Sequence, residues 1–193
     1  EAAITLSHEH GFPFWPVYGT VLQGWALTMQ GQEEEGIAQI HQGITTARGM
    51  GTEMARSHFL ALLAEAYGNV GRSEEGLRAL AEALDFVEKT GERVYEAELY
   101  RLYGELSLRI GEPETGRTGD KTILPDSPIP RFSVSSPEDA FLKAITIARQ
   151  QQAKSLELRA VMSLSRLWQN QGKKGEARQM LADIYSWFTE GFD

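Results

Sequence analysis

The chain of 193 residues has no cysteine, so no disulfide staples it and no thiolate-ligated zinc or iron–sulfur centre can form. Basic residues are outnumbered, 19 Lys and Arg against 27 Asp and Glu, leaving a formal net charge of −8. That balance argues against a general nucleic-acid binder, which needs clustered cations to neutralise phosphates. No apolar run approaches the ~18 residues of a membrane span, and no secretory leader pattern opens the chain. Aromatics are only 9%, yet hydrophobic residues reach 41%, too many for a disordered polymer. Proline is sparse outside one stretch, with five of the seven prolines between Pro113 and Pro137.

Glycine carries the organisation. Gly11, Gly51 and Gly91 are spaced by 40, and so are Gly31, Gly71 and Gly111. The text around the second series repeats as GQEEEGI at Gly31 and GRSEEGL at Gly71, with GKKGEAR at Gly172 as a later copy. That copy lies 61 residues after Gly111, one period plus 21. A small residue recurs at Ala3, Gly43, Ala83 and Ala144, followed by Ile4, Ile44, Leu84 and Ile145. Ile40, Leu80, Phe141 and Leu181 form a column three residues earlier, and in the last copy Ile184 replaces the small residue. Gly36, Gly76 and Ala177 make another small column.

Each period reads as two helices. Residues 57–69 place Leu60, Leu63, Ala64 and Tyr67 on one face, and residues 73–89 place Leu77, Leu80, Ala81, Leu84 and Val87 on another. Gly71 breaks the first helix and Gly91 stops the second. Ser73, ahead of Glu74 and Glu75, suits a capped helix start. The units are about 1–11 (partial), 12–51, 52–91, 92–152 and 153–193, read as one domain. The missing methionine at Glu1 and the uncapped end at Asp193 suggest a fragment of a longer polypeptide. The extra residues at 112–136 predict an exposed loop between the two helices of the third unit, stiffened near Pro125, Pro128 and Pro130. Ile123, Leu124, Ile129 and Phe132 are apolar enough to pack part of it back onto the helices.

This pattern resembles tetratricopeptide (TPR) repeats. Tyr67, Gly71, Leu80, Ala83 and Leu84 fit best, and Gly24, Ala64, Gly104 and Ser165 fit the small position of the first helix. The closing proline is missing, and 40 residues exceed the usual 34. A closer resemblance rests on LALLAEAYG from Leu60, EAELYRLYGEL from Glu96, LELRAVMSLSRLW from Leu156 and YSWFTEGFD from Tyr185. These segments are similar to the C-terminal TPR region of large bacterial signalling proteins. Such proteins join a nucleotide-cyclase or transcription-factor-like domain to a STAND-type ATPase. The resemblance implies a cytoplasmic regulatory region that senses or docks a partner. Cyclase and ATPase residues do not carry over, because their motifs are absent.

The fold expected is an all-α, right-handed superhelical solenoid of about nine helices with a concave face lined by the first helix of each pair. TPR geometry points Tyr18, Trp25, His58, Glu65 and Asn69 into that face, then Glu98, Arg101, Glu105 and Arg109, then Arg159, Arg166 and Asn170. Aromatic and arginine side chains suit a protein or peptide ligand, including other domains of the parent chain, because arginine grips carboxylates through two donors. Two further readings stand beside it: a small-molecule effector site controlling the attached output domain, and a homo-oligomer through the apolar solenoid ends. No catalytic, metal or cofactor constellation is found. His8 and His10 are two apart and do not share a helix face. His41 and His58 lack ligand partners at helical spacing. No phosphate-cradling loop or nucleophile elbow occurs. The acids Glu33, Glu34 and Glu35 are explained by the helix dipole. The four tryptophans read as core or inter-repeat packing.

If Ala83 lies on a helix seam, Ala83→Leu overpacks it and costs about 1–3 kcal/mol. A denaturant midpoint equal to the parent's would remove Ala83 from the seam.

Overall fold

The computed structural model describes residues 5–7, 10–111 and 134–188. Among them the chain is all-α, with no strand, and its helices pack as consecutive pairs. Eight helices follow a helical turn at 5–7: α1 (Phe14–Met29), α2 (Glu33–Gly49), α3 (Arg56–Asn69), α4 (Ser73–Thr90), α5 (Glu96–Gly111), α6 (Pro137–Gln150), α7 (Lys154–Asn170) and α8 (Lys174–Tyr185). They form two compact units, Glu1–Glu92 and Arg93–Asp193. In the first, α1 pairs with α2 and α3 with α4, and α3 also packs against both α1 and α2. In the second, α5 pairs with α6 and α7 with α8, and α7 packs against both α5 and α6. No described helix is long and apolar enough to cross a membrane.

The turns follow from backbone chemistry. Gly31, Gly71 and Gly172 end the first helices of three hairpins with φ near +80°, a left-handed conformation that costs glycine little. Each is followed by an N–H reaching back five residues to a free helix-end carbonyl: Gln32 to Leu27, Arg72 to Tyr67 and Lys173 to Trp168. Between hairpins, Gly51 has φ +67° and the same six-residue closure runs from Thr52 N–H to Ala47 O. Forty residues earlier, Phe12 N–H bonds to Ser7 O in the same way. In the last copy Gln152, not glycine, takes the left-handed position, with φ +55°.

Ser73 does not cap α4. The turn after Gly71 is so short that Arg72 holds the cap position without a side-chain cap bond, and Ser73 is already helical and buried. The Arg72 side chain lies over the Tyr67 ring, 4.7 Å from its centroid, and its Nε donates to Glu75 at 2.9 Å. A side-chain cap does start α6. Ser136 Oγ accepts from Asp139 N–H at 3.0 Å and donates to Asp139 Oδ2 at 2.8 Å. Apart from 134–136, the loop expected at 112–136 lies outside the described residues.

Small residues bring the helices into backbone contact. A methyl group at Gly36 would meet Gly24 O and the Thr28 methyl, each at 2.5 Å, and one at Gly104 would meet the Phe141 ring at 2.5 Å. The same crossing recurs in the last hairpin, where Ser165 Oγ donates to Ala177 O at 3.4 Å. Ala64, Ala83 and Ala144 are completely buried, as are Ile40, Leu80 and Phe141 from the large column. Ile184, which breaks the small column, is buried too.

Gly36→Ala tests the crossing. Helix propensity alone favours alanine by up to ~1 kcal/mol, whereas overpacking costs ~1–3 kcal/mol. Because the obstructing atom is a carbonyl oxygen rather than a flexible side chain, the variant is expected to melt lower by urea denaturation. A stabilised variant would show that α1 and α2 can separate at no cost.

Candidate functional site

The sequence-predicted face residues of the first unit meet in pairs, each spanning one period. Tyr18 Oη lies 3.0 Å from His58 Nδ1. Trp25 Nε1 donates to Glu65 Oε2 at 2.8 Å, and Asn69 Nδ2 donates to Met29 Sδ at 3.1 Å. All three pairs are 40 residues apart. α1 and α3 therefore lie side by side with aligned positions facing, and polar rungs join them. At the Tyr18 end the rungs merge into an aromatic cluster. Tyr18 lies 5.4 Å from Phe59 and 5.7 Å from His58 between ring centroids, and Phe14 stacks on Phe59 at 6.5 Å. Tyr18, Trp25, His58 and Glu65 are half-buried and Asn69 is exposed.

The second unit builds its face from charge. Arg101 grips Glu98 through two bonds, Nε at 2.9 Å and Nη2 at 2.7 Å, and both side chains are buried. Arg159, from α7, donates Nη2 to the same Glu98 carboxylate at 2.9 Å while staying half exposed. Glu105 accepts from Ser163 Oγ at 2.6 Å and lies 3.6 Å from Arg101 Nη1. Glu98 and Arg159 are 61 residues apart, the period plus the insertion. One buried carboxylate thus orients two guanidinium groups, leaving little rotamer freedom to lose on binding. Arg109, Arg166 and Asn170 are exposed at the ends of the same helices.

Two ionic clusters were not singled out by the sequence. Glu157 is buried, and it accepts from Arg149 Nε at 2.7 Å and Lys154 Nζ at 2.8 Å. Burial pushes its carboxyl upward, but the hydrogen bonds and charges of Arg149 and Lys154 outweigh that and hold it below the usual range. Glu138 accepts from Trp168 Nε1 at 2.8 Å, with Lys173 Nζ at 3.4 Å. The Trp168 bond, followed by Lys173, holds this carboxyl low as well. Glu138 and Trp168 stand at opposite ends of the column arithmetic, so no spacing signal could pair them. Met29 was readable, because it aligns with Asn69 forty residues on.

Trp25 and Trp168 pack between helices through these bonds. Trp15 and Trp187 do not pack as expected: they are 56% and 57% exposed. His41 Nε2 lies 2.7 Å from Tyr67 Oη, a local contact between α2 and α3. An open groove of about 680 Å³ runs along α8, lined by Arg149, Trp168, Gly175, Glu176, Gln179, Met180 and Asp183.

No protein-family signature and no curated protein sequence matches the chain. Among solved structures, the chain is similar to a Podosopora anserina protein titled as a kinesin light chain with nearly identical TPR-like repeats. Identity is 16%, the match covers 89% of this chain and 93% of the other, and the TM-score is 0.39.

The low carboxyl positions predict an acid limb in stability. A depressed folded pKa contributes stability above the unfolded carboxyl value of about 4.3 and loses it as pH falls through the folded value. Glu157→Gln is expected to lower stability at pH 7 by about 1.5–3 kcal/mol. It should also shrink the drop in melting temperature between pH 7 and pH 3. Thermal melts followed by circular dichroism check this; an unchanged acid limb would mean Glu157 is equally paired when unfolded.

Proposed function

We propose that the protein is a non-catalytic interaction module that docks a peptide or another protein domain on the exposed faces of its first helices. The observation that carries the reading is the Glu98 carboxylate shared by Arg101 and Arg159. Holding these arginines in place prepays part of the ordering cost of recognition. With Arg166 and Arg109 exposed on the same helices, α5 and α7 offer three accessible arginines around the buried Arg101–Glu98 pair, which suits an acidic segment. In the first unit, the aromatic and histidine side chains of α1 and α3 suit a less charged and flatter ligand surface.

The resemblance of Leu60–Gly68, Glu96–Leu106, Leu156–Trp168 and Tyr185–Asp193 supports a finer reading. In it, this is the regulatory TPR region of a cytoplasmic bacterial signalling protein, and its partner includes other domains of that protein. A second reading rests on the groove along α8. Its volume of about 680 Å³ is within the ~300–1,000 Å³ of ligand pockets, and a small-molecule effector could bias the output domain from there. The groove is open along its length and has one tryptophan in its wall, which favours an extended segment over an enclosed small molecule.

Fluorescence anisotropy tests the arginine face, with a labelled glutamate-rich decapeptide and its lysine-rich counterpart as probes. The glutamate peptide is expected to bind, to weaken with added salt, and to lose about tenfold in affinity, ~1.4 kcal/mol, in Arg159→Ala/Arg166→Ala. Equal binding of both peptides, or indifference to the double substitution, would remove this face as the docking site.

A further inference from the structure

The three rungs between α1 and α3 have unequal acceptors. Trp25 gives its N–H to the Glu65 carboxylate, and Tyr18 meets an imidazole nitrogen of His58. In the third rung Asn69 Nδ2 gives its N–H to the Met29 thioether, 3.1 Å away. A thioether sulfur is a weak acceptor. The aligned positions further along the chain, Arg109 and Asn170, are polar. Met29 therefore makes its rung the weakest of the three.

Met29 is also open to solution, at 56% exposure. That openness belongs to the position in the repeat. Asn69, forty residues on, is exposed although α1 and α2 both pack against its helix, and Arg109 and Asn170 are exposed too. The chain has five methionines. Met50, Met54 and Met162 are exposed as well, and Met180 is half-buried. Among the described residues, only the Met29 sulfur accepts a hydrogen bond.

Exposure and an adjacent N–H donor meet in one chemistry, the oxidation of a thioether by a hydroperoxide. A sulfur lone pair attacks the terminal peroxide oxygen. The S–O bond forms as the O–O bond breaks, and the proton of the attacked oxygen passes to the leaving one, which departs as water or an alcohol. Sulfur loses two electrons, the peroxide gains them, and the product is a sulfoxide that sulfoxide reductases can reverse. In a core the added oxygen disrupts packing. At Met29 it is added to an atom that already faces an N–H. A sulfoxide oxygen is a stronger acceptor than a thioether sulfur, so oxidation strengthens the rung. We propose that Met29 is a modification site for hydroperoxides, and that its sulfoxide latches α1 to α3 through Asn69. The latch lies one helical turn beyond Trp25, so it stiffens the face that carries the Trp25–Glu65 rung.

Mild hydrogen peroxide treatment tests the latch, with peptide mass spectrometry to locate the added oxygen and thermal melts followed by circular dichroism. Met29 is expected to gain one oxygen. On treatment the parent's melting temperature is expected to shift upward by about 1–4 °C relative to the shift in Met29→Leu, whose other methionines still oxidise. In Asn69→Leu, Met29 still oxidises but has no N–H to meet, and the upward shift should vanish. Both positions are exposed, so both variants are expected to fold. Met29→Gln gives a second measurement without oxidant. Its carboxamide oxygen should raise the melting temperature of the parent and leave that of Asn69→Leu unmoved. No relative upward shift on oxidation, a shift that survives in Asn69→Leu, or equal effects of Met29→Gln in both backgrounds overturns the proposal. So does a Met29 left unoxidised once Met54 is converted. None of these readouts involves the arginine face on α5 and α7, so peptide binding by that face stands or falls separately.

Discussion

Consecutive first helices lie in register because aligned side chains bond to one another across a single repeat length. Tyr18 with His58, Trp25 with Glu65, and Met29 with Asn69 all span 40 residues. This register requires hairpins of equal thickness, and equal thickness requires small residues, glycine, alanine or serine, where helices cross. At Gly24 and Gly36 there is no room for a single methyl. A side chain there would push the second helix outward, shift the next hairpin, and break every rung. The polar face therefore depends on residues that have no chemistry of their own.

The second unit meets the same requirement with a 22-residue span outside the described set between α5 and α6. Its rungs are ionic. Glu98 reaches Arg159 across 61 residues, and Glu105 reaches Ser163 across 58. Inserting chain between the two helices of a hairpin lengthens the sequence separation without changing the packing, because loop closure entropy grows only slowly with length. Burying Glu98 and Arg101 is tolerated because each guanidinium and carboxylate is answered by the other. Removing Glu98 would leave the buried Arg101 with Glu105 at 3.6 Å as its remaining carboxylate contact, an undercompensated charge. Such a pair contributes orientation more than stability.

Much of the fold was legible in the residues. Gly71 and Gly91 stop helices where their left-handed backbone demands, and the columns at Gly43/Ala83/Ala144 and Ile40/Leu80/Phe141 are buried as small–large packing predicts. Local detail was harder. Ser73 reads as a cap, but only Arg72 separates Gly71 from α4, so Ser73 falls in the first turn of that helix. Trp15 and Trp187 read as packing residues, and both face outward, because a repeat at either end of the described set has a neighbour on one side only. Several face residues were legible as positions but not as partners. Spacing showed that Trp25 and Glu65 are equivalent; it could not show that they touch.

The sequence by itself determined the period, the hairpins and the small–large columns. These depend on local backbone preference and on composition, and both are carried by neighbours in the chain. Only the tertiary structure decided which equivalent positions bond across a repeat. It also decided that Glu98 serves two arginines and that Glu157 is buried yet stays low in pKa. The bonds across a repeat depend on distances of a few ångströms between residues 40 to 61 positions apart, and such distances are set by how closely whole helices pack.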